Sequence, residues 1–143
     1  MIHKLITQLS IILFESDLIM TRITLGFSEL LWFILLIWQG DTFNRPAYHN
    51  MSLLFSENTW AFIFLVSAFF QFKIALKQEF HTSFSHIFAA WNASLWIYIV
   101  GSMLLSVYPP PAAIAGEIAL AFSALLIWMR PYLITQGLIY GKQ

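Results

Sequence analysis

The sequence predicts an all-α polytopic membrane protein, with four transmembrane helices in an antiparallel bundle and an interfacial amphipathic helix at the N-terminus. Its composition is the first reason. Of 143 residues, 59% are hydrophobic and only 10% are charged, and the mean hydropathy is +0.75, whereas a soluble domain carries about 25% charged residues. Such a chain lacks the polar surface that a water-soluble globule needs. The second reason is four apolar runs, each long enough to cross about 30 Å of hydrocarbon as a helix.

The four apolar runs are continuous rather than alternating, which argues against the many short strands of a membrane barrel. The segment Tyr108-Pro109-Pro110-Pro111 separates the last two runs and predicts a rigid, very tight turn. Residues 20–131 therefore form one transmembrane domain, followed by a short tail at 132–143. The spans are predicted at about residues 23–40, 59–76, 84–107 and 111–129.

Residues 1–19 form a separate amphipathic segment. Apolar residues recur at helical spacing up to Phe14, and Glu15-Ser16-Asp17 then interrupts the apolar run. No small-residue cleavage site follows, so a cleaved signal peptide is not expected. A helix lying in the membrane interface fits this pattern. Alternatively, translation starts at Met20 and the first nineteen residues are an extension.

The distribution of basic residues predicts the orientation. Cytoplasmic loops carry an excess of Lys and Arg. The N-terminal segment, the second loop and the tail together hold six of the seven basic residues, and the other side has Arg45 alone. Both termini are therefore predicted to be cytoplasmic, in a cell inner membrane. The six residues are Lys4, Arg22, Lys73, Lys77, Arg130 and Lys142.

Two carboxylates fall inside predicted spans, where a charge costs about 2.5–3.5 kcal/mol at the helix centre. Glu29 lies near the start of the first span and Glu117 near the start of the fourth, which runs in the opposite direction, so we expect them at different depths. They are either stations of a proton or ion path or neutral acids that hold helices together through amide hydrogen bonds. Gln71 and Asn92 are predicted near Glu29, and Gln39 and Ser102 toward Glu117.

The last span carries small residues at four-residue spacing: Ala115, Ala119 and Ser123. Small side chains let helix backbones approach closely. We expect this face to pack within the chain, with self-association into an oligomer as the alternative.

Composition and spacing argue against several kinds of chemistry. The chain has no cysteine, and a net charge of zero does not indicate a nucleic-acid partner. No nucleophile–base pair can be assembled, and the histidines do not have the spacing of a metal site. We therefore expect no metal, no cofactor and no enzymatic activity. The histidines are His3, His49, His81 and His86.

The first loop, residues 40–51, is the most informative polar stretch. Gly40 is expected to end the first helix, and Glu57-Asn58-Thr59 to cap the second. Arg45 is the single basic residue on this side and is expected to pair with Asp41 or Glu57. These features predict a structural turn, with a ligand-binding loop as the alternative.

The same loop resembles a group of small four-span membrane proteins of tailed bacteriophages, which are sometimes labelled holin-like. The ending Trp128-Met129-Arg130 is also similar, and the resemblance covers about Met20 to Pro131. The tail departs from the holin pattern, because it carries one charge where holins commonly end in a strongly charged segment. The loop residues that carry the resemblance are Gly40, Asp41, Thr42, Phe43, Arg45, Tyr48, Met51, Glu57 and Trp60.

Three functions are compatible with these features. The resemblance implies a holin-like protein that oligomerises in the inner membrane and releases a lytic enzyme. The second is a non-enzymatic accessory protein, such as a superinfection-exclusion factor or a stabilising subunit of a larger membrane complex. The third is a small oligomeric channel or proton-coupled transporter that uses Glu29 and Glu117. The partners expected are the lipid bilayer and a second copy or another membrane protein.

Overall fold

The computed structural model describes residues 2–106 and 114–135, with side chains for 17–106 and 114–132. This part of the chain is helical and contains no strand. Two short 3-10 turns, Thr42–Asn44 and Pro46–Tyr48, lie in the first loop. The α-helices are α1 (Ile2–Gln39), α2 (His49–Ser52), α3 (Glu57–Lys77), α4 (Ser83–Ser106) and α5 (Ile114–Thr135).

Four helices are long and apolar enough to cross a membrane, which confirms the predicted fold class. They provide candidate spans at Asp17–Gln39, Glu57–Lys77, Ser83–Ser106 and Ile114–Tyr132. Large apolar side chains on all four are exposed, for example Leu31, Phe69, Ile87 and Phe122. Such a surface is stable in hydrocarbon and not in water. The predicted Pro-rich turn lies outside the described residues.

The N-terminal segment is helical, as predicted, but it is continuous with the first span. Glu15-Ser16-Asp17 interrupts the apolar run but not the helix, because α1 continues through these residues over its 38 residues. None of these three residues is Gly or Pro, and each lowers helix stability by less than about 1 kcal/mol. Thr21 also donates its hydroxyl to the backbone oxygen of Asp17 at 2.7 Å, as a helical residue does.

The helices form two close pairs. α1 packs against α3, and α4 packs against α5, whereas α3 and α4 are farther apart. Gly26 lies at the α1–α3 contact, where an added Cβ would be 3.1 Å from the Phe72 ring and 3.2 Å from Cβ of Gln71. Glycine therefore allows this close approach.

Aromatic rings fill the wider interface between the two pairs. Trp60 of α3 stacks on Tyr98 of α4, with ring centroids 5.8 Å apart. The Phe64 ring packs between the rings of Trp96 and Trp32, and the ring centroids of Phe64 and Trp32 are 5.4 Å apart. These large side chains keep the pairs apart and leave room for polar groups between them.

The first loop folds back onto the bundle and is largely structural. Gly40 ends α1 with φ +61°, as predicted. Phe43 and Met51 are buried, and the Trp60 indole donates to the Met51 carbonyl at 2.9 Å. Asn50 donates to the carbonyl of Ser102 at 3.3 Å, which fixes the loop to α4.

Two expectations for this loop were wrong in detail. Arg45 does not pair with Asp41 or Glu57. The Asp41 carboxylate accepts instead from Asn44 at 2.8 Å, and Glu57 accepts from the backbone N–H of Thr42 at 2.8 Å. The cap of α3 is Ser56, one residue earlier than predicted, and its Oγ accepts from the backbone of Thr59.

Candidate functional site

Arg22 lies inside the bundle rather than at its surface. Its side chain is 2% exposed. Nη1 donates to Oε1 of Gln71 at 3.0 Å, and Nη2 donates to the hydroxyl of Ser85 at 2.9 Å. The guanidinium thus joins α1 to α3 and α4. Sequence reasoning missed this role because it counted Arg22 as a flanking charge.

Glu29 is completely buried, two helical turns further along the same face of α1. Asn92 of α4 donates its side-chain N–H to Oε1 of Glu29. The side chains of Gln71 and Trp96 approach the same carboxyl group. Gln71 and Asn92 therefore lie beside Glu29, as predicted. Glu29 also lies within electrostatic range of Arg22, and Gln71 stands between them.

Arg22, Gln71, Glu29, Asn92 and Trp96 together form what we call the polar core. It lies between the two helix pairs and draws on three different helices. A buried network of this kind in a membrane span is costly unless its members satisfy each other. The arrangement is therefore a candidate functional site as well as a structural link between helices.

The polar core has unused hydrogen-bonding capacity. Nε of Arg22 and Oδ1 of Asn92 are buried and have no hydrogen-bond partner. Nε1 of Trp96 and Oε2 of Glu29 approach each other's residues without forming a hydrogen bond of normal geometry. An unsatisfied buried polar group costs about 1–3 kcal/mol.

Glu117 lies at a second site, nearer the end of the bundle that carries the first loop. The indole of Trp32 donates to Oε1 of Glu117 at 3.3 Å, and the Trp32 ring packs edge-on against Tyr48 at 5.4 Å. These three residues line a cavity of about 270 Å³ together with Gln39, Thr42 and Arg45. Burial and the nearby Glu117 carboxyl raise the pKa of Tyr48 above its ordinary value of 10, and Arg45 partly opposes them.

The two carboxyl groups do not contact each other, in agreement with their predicted difference in depth. Trp32 follows Glu29 by about one turn of α1 and contacts Glu117, so it lies next to both sites. Gln39 lines this cavity, as predicted. Ser102 does not, because it lies on α4 beside Asn50 and Tyr98.

The small-residue face of α5 points away from the bundle. Ala115 and Ala119 are exposed and Ser123 is half-buried. The expectation that this face packs within the chain was wrong. α5 instead buries a different line of residues against its neighbours: Ile114, Ala121, Ala124 and Ile127.

The described residues contain no group of three side chains that could hold a metal ion. His86 is part of α4, within the span predicted at residues 84–107. Comparison of the chain with protein-family models, with curated proteins and with solved structures gives no match. The fold and its polar groups therefore define an integral membrane protein with four spans and a polar interior.

Proposed function

We propose that this protein moves protons through its own helix bundle, as a small proton channel or proton-coupled transporter, with Glu29 as the central proton-binding group. The observation that carries this proposal is the polar core, which lies inside a single chain and centres on a fully buried carboxyl group. Carboxyl groups inside membrane spans commonly mark proton relays. We further propose that the protein resides in a cell inner membrane, with both termini in the cytoplasm.

Glu29 suits this role better than its neighbours do. A carboxyl group can bind and release a proton, whereas the amides of Gln71 and Asn92 only donate and accept hydrogen bonds. Arg22 lies within electrostatic range of Glu29 and supplies a positive charge to the polar core.

Trp32 divides the path. An indole N–H donates but cannot accept a proton, so it cannot pass one onward. We assign Trp32 to the barrier between Glu29 and Glu117, which closes the path in this conformation. The Glu117 cavity, with Tyr48 and Arg45, would then be the outer entrance.

The test is proton flux into vesicles that contain the purified protein and a pH-sensitive dye, driven by a potassium gradient with valinomycin. Wild type should acidify the lumen, and E29Q should reduce the rate at least tenfold, because glutamine cannot exchange a proton. E79Q is the matched control, since Glu79 lies outside the candidate spans, and it should conduct like wild type. Equal flux from wild type, E29Q and empty vesicles would contradict the proposal.

A holin-like function is the second candidate, favoured by the outward small-residue face of α5 and by the phage resemblance. In that case copies associate through Ala115 and Ala119 and form a lesion. Inducible expression in bacteria should then collapse the membrane potential abruptly. A119L should delay or abolish the collapse, whereas S94L, which enlarges an exposed small residue on α4, should not. Gradual or absent depolarisation, or equal timing in A119L, argues against this candidate.

A further inference from the structure

A small basic cavity of about 60 Å³ lies at the end of the bundle opposite the first loop. It is bounded by α1, by the α3–α4 connection and by α4 and α5. Arg22 is shared with the polar core, whereas the other lining residues belong neither to the polar core nor to the small-residue face of α5. Its lining combines two arginines and two histidines with apolar side chains: Leu18, Arg22, Phe80, His81, His86, Ile127, Arg130 and Pro131.

The arginines make this cavity electrostatically positive. Arg22 is 2% exposed and Arg130 is 8% exposed, and the two are close enough to repel each other. Like charges in a poorly solvated site favour the binding of an anion between them. In addition, Nε of Arg22 is buried and has no hydrogen-bond partner. A guanidinium with an unused N–H is suited to a phosphate oxygen.

An apolar groove of about 460 Å³ adjoins the cavity. The two share His86 and Pro131 as lining residues. Trp128 and Tyr132 also line the groove, and both are exposed. Aromatic residues of this kind favour the boundary between hydrocarbon and head groups. A positive pocket beside an apolar groove matches the two parts of a phospholipid, its phosphate and its acyl chain.

We infer that this cavity binds the phosphate of an anionic phospholipid, and that an acyl chain of the same lipid lies along the groove formed by His86, Trp128, Met129, Pro131 and Tyr132. Basic pockets between transmembrane helices are known binding places for anionic head groups. The bound lipid would hold α1 and α5 together, because Arg22 and Arg130 belong to these two helices. This inference does not depend on proton transfer.

Native mass spectrometry of the full chain in detergent tests it. Phosphatidylglycerol should remain bound to wild type at concentrations where phosphatidylcholine dissociates. R130Q should weaken phosphatidylglycerol binding at least fivefold, whereas K77Q, an exposed basic residue at the same end, should not. W128A should weaken lipid binding because it alters the groove. Added inorganic phosphate should displace lipid from W128A to the same extent as from wild type, because the cavity itself is unchanged.

Three outcomes would overturn the inference. One is equal binding of the two lipids to wild type, and another is equal phosphatidylglycerol binding by wild type and R130Q. The third is complete displacement of the lipid by millimolar inorganic phosphate, which would assign the cavity to the free ion. If R130Q does not fold, H86A replaces it, since it removes a lining donor and leaves the Arg22 hydrogen bonds in place. No proton gradient is used, so failure here is distinct from failure of the proton-transfer proposal.

Discussion

Nη1 of Arg22 donates a hydrogen bond to Oε1 of Gln71 across 3.0 Å, although the two residues lie 49 positions apart in the chain. Both side chains are buried. Gln71 also approaches the carboxyl of Glu29, so one amide connects a buried cation to a buried acid. The relative position of α1 and α3 therefore controls the electrostatic environment of Glu29.

Replacing Gln71 tests the energetic role of this link. Q71A leaves Nη1 of Arg22 buried without an acceptor and should lower the free energy of unfolding by about 1–3 kcal/mol. Q39A is the matched control, because Gln39 is exposed, and it should change stability by less than about 0.5 kcal/mol. Unfolding in mixed detergent micelles measures both.

The double variant R22M/Q71L separates stability from function. Replacing both partners by apolar residues of similar size can be nearly neutral. We therefore expect the double variant to be more stable than Q71A, yet to lose proton flux with the polar core. A double variant that is less stable than Q71A would indicate that the network is mainly structural.

Gly26 sets how closely α1 and α3 approach. G26L would force its side chain against the Phe72 ring and Gln71 and should cost about 1–3 kcal/mol. G101L serves as the control, because an added Cβ at Gly101 meets no atom within 4 Å. Thermal unfolding of both variants in detergent checks the difference. Equal melting temperatures would mean that the α1–α3 contact adjusts at little cost.

Gln78 ends α3 in the left-handed conformation, with φ 53° and ψ 33°. This conformation is strained for a residue with a Cβ and is natural for glycine. Q78G should therefore stabilise the protein by about 1 kcal/mol. K77G, one residue earlier and inside the helix, should instead destabilise it. Opposite shifts in melting temperature are the expected result.

Tyr48 should give the protein a measurable alkaline sensitivity. Its pKa is raised in the folded state by burial and by Glu117. Below about pH 10 the phenol is neutral in both states, and above that value the unfolded chain ionises first, so stability falls. Between pH 9 and 11 the melting temperature of wild type should therefore fall more steeply than that of Y48F. Parallel curves would show that Tyr48 does not contribute.

The spans could be predicted from sequence because hydrocarbon thickness and continuous apolar runs determine them. The proximity of Glu29, Gln71 and Asn92 could also be predicted from the sequence, because polar residues at similar depths in neighbouring helices tend to contact each other. Arg22 could not be placed by the same rule, because the positive-inside count treats every basic residue near a span end as a surface charge. Its seven-residue distance from Glu29, two turns on one face, is the signal that would have indicated a buried role.

The orientation of α5 shows a different limit. Small residues occur on two of its faces, one with Ala115 and Ala119 and another with Ala121 and Ala124. Spacing alone does not distinguish the face that meets the bundle from the face that meets lipid. The face of α5 that meets the bundle is the one on which Ile127 and Arg130 are buried. Only the tertiary packing determines which face that is.

The uninterrupted course of α1 restricts where its first residues can lie. At about 1.5 Å per residue, its 38 residues make a helix roughly 57 Å long, whereas the hydrocarbon core of a bilayer is about 30 Å thick. A straight helix of this length that crosses the bilayer extends well beyond the hydrocarbon. A small change in its tilt would then displace its far end by several ångströms.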